Sequence, residues 1–181
     1  MRLLLVSSAL ILTLACGSSQ LSQREAASDI RKDYPVTVMI RVPDTRLAVK
    51  GSTDHARLLK MQELLTKDGW FATFRSEEGN QERFTFKPLP QAPKDFRTAL
   101  RGVEIPAAQA EFVKVTGMEP TRDGAKVNYL IRLAQPTAYF PVFQALYGVK
   151  VGDTKERHAL YRKEGRSWVL QTTNESFKKA E

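Results

Sequence analysis

The sequence predicts an α+β fold in which a curved antiparallel sheet packs on a helix. Three observations carry that prediction. One segment, Asp54–Asp68, has a clean helical stripe with signals at both ends. Most later segments alternate apolar and polar residues and are joined by short turns rich in Gly and charge. Strands therefore follow one another directly, without the helical crossovers that a parallel sheet needs. Hydrophobic residues make up 42% of the 181 and charged residues 27%, the balance of an ordinary globular chain with one sizeable core or two small ones.

The chain opens MRLLLVSSALILTLACG. Arg2 is a short positive region, and Leu3–Leu14 is apolar except for Ser7, Ser8 and Thr13. A bilayer span needs about 20 apolar residues, so this core is too short and reads as a secretory signal over residues 1–15. It ends in Leu14-Ala15-Cys16-Gly17, and here the chain resembles bacterial lipoproteins. Ala15, Cys16 and the apolar run match the family's pattern; Thr13 stands where Leu is usual and Leu14 where a small residue is usual. The resemblance implies a diacylglycerol on the Cys16 thiol and a membrane partner reached through it. Gly17 and Ser18 lack the acidic residue that retains such proteins on an inner membrane, which implies an outer-membrane address facing the periplasm in a Gram-negative cell. The competing reading is an ordinary signal cleaved nearby. Cys16 is the only cysteine, so no intramolecular disulfide can form.

Ser18–Asp33 is polar, with Leu21 and Ile30 isolated, so residues 16–33 read as a lipidated cysteine and flexible tether. Its extended reach is on the order of 50 Å. The folded domain is expected over 34–175, with a sub-boundary near 91 in the proline run Pro88–Pro93.

Val36–Val42 alternates as a half-buried strand, and Leu47 and Val49 suggest a short extension before Gly51. In the Asp54–Asp68 helix, Ser52 or Thr53 caps the first amides, Leu58, Met61, Leu64 and Leu65 form the stripe, and Gly69 stops it. Trp70–Arg75 and Glu82–Lys87 make a hairpin, with Trp70, Ala72 and Phe74 expected on one face. Asp95–Arg101 suggests a helical turn or two. Glu111–Met118 and Ala125–Leu133 form a second hairpin whose inward set is Val127, Tyr129, Ile131 and Leu133. Pro136–Tyr147 carries a short helix entered at Pro141 and ended by Gly148. Arg157–Lys163 and Ser167–Thr173 close the chain as a third hairpin. That hairpin, with Arg162, Gly165 and Trp168, resembles the end of NTF2-like or cystatin-like domains, which implies a sheet wrapped around a helix.

No spaced Cys/His set suggests a metal, no Gly-rich loop suggests a phosphate cofactor, and no nucleophile motif is present, so no cofactor is expected. The formal charge of +8 suggests an anionic neighbour such as envelope head groups or polymers, or serves solubility alone; export argues against nucleic acid. The two histidines divide between settings. His55, beside Asp54 at the helix start, is an acid–base candidate or a solvated polar residue; His158 reads as sheet surface. Tyr139, Phe140, Phe143 and Tyr147 read as a flap, a docking face or a core plug. The expected function is a membrane-anchored binding or structural module of the cell envelope, with a small pocket enzyme built on His55, Asp54 or Tyr129, or a carrier of a hydrophobic ligand, as the alternative.

Overall fold

In the computed structural model, residues 20–173 are described, and the signal segment with Cys16 lies outside them. The fold is α+β, with a strongly curled antiparallel sheet and three helices, the architecture expected of a cystatin/NTF2-like roll. Helix α1 is Gln23–Lys32, β1 Val36–Pro43, β2 Thr45–Val49, α2 Thr53–Lys67, β3 Phe71–Glu78 and β4 Gln81–Pro88. Strand β5 is Arg97–Ala99, β6 Gly102–Thr121, β7 Gly124–Ala134, α3 Phe140–Tyr147, β8 Thr154–Glu164 and β9 Ser167–Thr173. The larger sheet runs β1-β6-β7-β8-β9, with β5 also paired to β6; a smaller sheet runs β2-β4-β3.

The alternation of the sequence sets the two faces of the larger sheet. Val38, Ile40 and Val42 of β1, Ile105 and Ala110 of β6, and Val127, Tyr129, Ile131 and Leu133 of β7 are buried on its concave side. Against β7 the twenty-residue β6 shifts register twice, between Phe112 and Lys114 and between Val115 and Gly117. Each shift is a bulge that bends the strand and adds twist, so the sheet curls. Helices α1 and α3 cover the hollow against β6. One apolar core continues into the smaller sheet through Leu58, Met61, Leu65, Phe71, Phe84 and Phe86.

Three expectations are corrected. The segment read as a flexible tether folds from Leu21 onward: Ser22 and Glu25 form a reciprocal capping box, and Ala26 and Ile30 are fully buried. Two buried side chains and satisfied amides at its start suffice to dock a helix that looks polar in sequence. Asp95–Arg101 is not helical; β5 folds back on β6 through a two-residue turn, Leu100-Arg101, with Ala99 opposite Gly102. In the first hairpin only β3 has the opposite parity, because Trp70 still belongs to the helix exit, its amide bonded to the Leu65 carbonyl, while Phe84 and Phe86 of β4 share the buried face. Phe71 is therefore the inward residue, while Phe74 lies out under the Lys87 ammonium. The extended piece expected at Leu47 and Val49 is β2, in which only Ala48 is buried. The α2 cap at Ser52 and the Gly148 end of α3 lie where the sequence placed them.

A candidate anion-binding cleft

Between the two sheets lies an open cleft of about 480 Å³. Its apolar floor is Val42, Leu58, Met61 and Val103, and Tyr147 from the end of α3 reaches its edge. Its walls carry Arg41 from β1, Arg46 from β2, Arg57 from α2 and Arg101 from the β5–β6 turn, against two carboxylates, Asp54 and Glu104. Antiparallel pairing puts Arg41 directly across from Glu104, with Nε 3.2 Å from Oε1. Asp54, in the first turn of α2, is held between Arg46 Nε at 3.2 Å and Arg57 Nη2 at 2.5 Å. Arg101 makes no ion pair among the described residues. Beside it Leu100 is 97% exposed at the hairpin tip. Four guanidiniums against two carboxylates leave a fixed positive excess on an apolar floor, a setting that favours a carboxylate or phosphate with some apolar body.

Asp54 and His55 are adjacent in sequence but diverge by the helical step. His55 turns away from the cleft, its Nε2 2.8 Å from Glu82 Oε2, and its ring meets Phe84 edge-on at 5.6 Å. Arg75 Nη1 lies 3.3 Å from the other Glu82 oxygen. The His55 side chain is only 14% exposed, so it is a partnered, half-buried residue and not a solvated one. Ser52 Oγ accepts the His55 backbone amide as the helix cap and so is turned to the backbone. Sequence reasoning passed over Glu82, although a signal was present: it shares parity with Phe84 and Phe86, and a charge on that face needs a partner.

Tyr129 is fully buried on the concave face, its hydroxyl 3.0 Å from that of Tyr34. Its cross-strand neighbour Arg157 is buried too, with Nε and Nη2 making no hydrogen bond. Burial pushes that guanidinium below its usual range, and the phenols of Tyr34 and Tyr129 pull it partly back. Phe140 and Phe143 are core residues, whereas Tyr139 and Tyr147 are half-buried. Tyr139 packs edge-on to Trp70 and Phe96 and donates its hydroxyl to Asp95 at 2.8 Å. His158 is exposed on β8, opposite Asn128. Among the described residues no group of three or more His, Cys, Asp or Glu could hold a metal, and no helix is long and apolar enough to cross a membrane. No protein family, curated protein or solved structure matches the chain significantly.

Proposed function

We propose that the protein is an exported, lipid-anchored module of the cell envelope that takes an anionic group in the cleft between its two sheets. The observation that carries the binding half is the excess of guanidinium: Arg41, Arg46, Arg57 and Arg101 against Asp54 and Glu104. The anchoring half rests on the run ending at Leu14-Ala15-Cys16-Gly17. An enzymatic reading finds less support, because Asp54, His55 and Tyr129 occupy three separate environments and the Ser52 hydroxyl is turned to the backbone as the helix cap.

Pyrophosphate is the probe for the cleft, followed by the NMR shifts of the arginine side chains. Saturable shifts at Arg41, Arg57 and Arg101, abolished by Arg101→Glu, support the proposal. Shifts spread evenly over the charged surface, or unchanged by Arg101→Glu, overturn it. For the anchor, a fatty-acid probe should label the wild type and not Cys16→Ser.

A further inference from the structure

The end of the curled sheet opposite the cleft carries a second basic region, and the chain enters the fold there. The β6–β7 and β8–β9 turns enclose a recess of about 600 Å³ lined by Gln20, Arg122, Asp123, Arg162, Lys163 and Trp168. Arg122, Arg162 and Lys163 are exposed, and Trp168 is half-buried. Lys163 faces Trp168 across the β8–β9 pair, its ammonium 5.8 Å from the ring centroid. Gln20 lines this recess, and Leu21 is buried immediately after it.

We propose that this end is the face on which the domain rests against a bilayer, with Arg122, Arg162 and Lys163 meeting anionic head groups and Trp168 at the interface. The inference rests on the lipid anchor proposed above. Cys16 precedes Gln20 by four residues, so the lipidated atom lies within roughly 14 Å of the recess even with the chain fully extended. Surface potentials fall off over about 8–10 Å in physiological salt, so charges at this end act on the head groups. The cleft lies at the other end of β6, whose twenty residues span roughly 60 Å of contour. Trp is enriched where an apolar ring meets a wet interface, and three cations around one carboxylate suit an anionic surface. The anchor thus orients the molecule: one basic end lies down, and the arginine cleft faces away.

The test uses the mature full chain, extracted from membranes and reconstituted into phosphatidylethanolamine–phosphatidylglycerol vesicles with brominated acyl chains. The chain has two tryptophans, so Trp70→Phe leaves Trp168 as the reporter. Should that variant fold poorly, the difference between wild type and Trp168→Phe reports the same quantity. The expected result is quenching of Trp168 that weakens in high salt and in pure phosphatidylcholine. Each basic residue at such a surface changes association about fivefold, so combined Arg122→Glu, Arg162→Glu and Lys163→Glu should abolish the quenching. Arg41→Glu with Arg101→Glu should leave it unchanged. Protein that floats with vesicles while Trp168 stays unquenched overturns the inference and leaves the anchor standing. Protein that does not float overturns the anchor, and the inference with it. Quenching governed by the cleft variants overturns it by assigning the other end to the membrane, and protection of Trp168 accompanied by a cross-linked dimer does so by assigning the recess to a second copy.

Discussion

Arg157 holds a guanidinium on the concave face of β8 with two of its nitrogens unpartnered. A buried charge without compensating hydrogen bonds costs free energy, whereas an apolar side chain of similar length there costs none. Arg157→Met should therefore raise stability by about 1–3 kcal/mol in urea unfolding, and a loss of that size would show that the charge is compensated. Tyr139 gives a pH-dependent case. Burial, the hydrogen bond to Asp95 and that carboxylate's charge hold the phenol protonated and raise its pKa to about 12. A raised pKa means the fold favours the protonated form. The contribution is thus full below the unfolded value of about 10 and is lost as pH climbs through 12. Burial also holds the Tyr161 phenol protonated to high pH, so phenolate absorbance should show late-titrating tyrosines of which one, Tyr139, moves earlier in Asp95→Asn. Residue-level chemistry was only partly legible in the sequence. Asp54 and His55 were visible as neighbours, but the helical step that separates them toward Arg57 and Glu82 depends on which layers flank α2.

Helix α1 shows how a few contacts decide an element. Its residues are mostly polar, yet Ile30 is fully buried and the Ala26 carbonyl accepts the Tyr161 hydroxyl at 3.2 Å. Ile30→Ala should cost about 2–5 kcal/mol in urea unfolding, where the same change in a flexible tether would cost nothing. Ser22→Ala should remove about 0.5–2 kcal/mol by opening the capping box. The box was readable as Ser22-Gln23-Arg24-Glu25, but the sparse apolar residues after it outweighed it. Strand β7 was legible because every second residue is apolar, a period only an extended segment can bury. The hairpin of β3 and β4 was legible as a hairpin, and β4 in its buried Phe84 and Phe86, but β3 was not in its parity, since a one-residue difference in where α2 lets go reverses every side chain of that strand. At the β6–β7 turn, a methyl added to Gly124 would run into the Tyr161 carbonyl. Gly124→Ala should therefore lower the melting temperature, and an unchanged midpoint would mean that the turn can move.

Across the whole molecule, folding of α1 changes what an anchor at Cys16 would do. With the proposed anchor, a tether of about 50 Å would let the domain turn freely above a membrane, whereas roughly 14 Å of chain before Gln20 would hold the end of the fold that carries Gln20 close to it. The cleft and the recess beside Gln20 lie at opposite ends of β6, so the two proposals can be tested separately. The general architecture was legible from consecutive alternating strands after a single strong helix. The cleft was not, since its arginines come from β1, β2, α2 and the β5–β6 turn and meet only once the smaller sheet packs against the larger. The attachment proposed at Cys16 would tie these features to a membrane, and intact-mass analysis of the mature protein tests it most directly. The account predicts a chain that begins at Cys16 and carries the added mass of a diacylglyceryl group. A mature chain with a bare Cys16 thiol, or one beginning after it, would contradict the account.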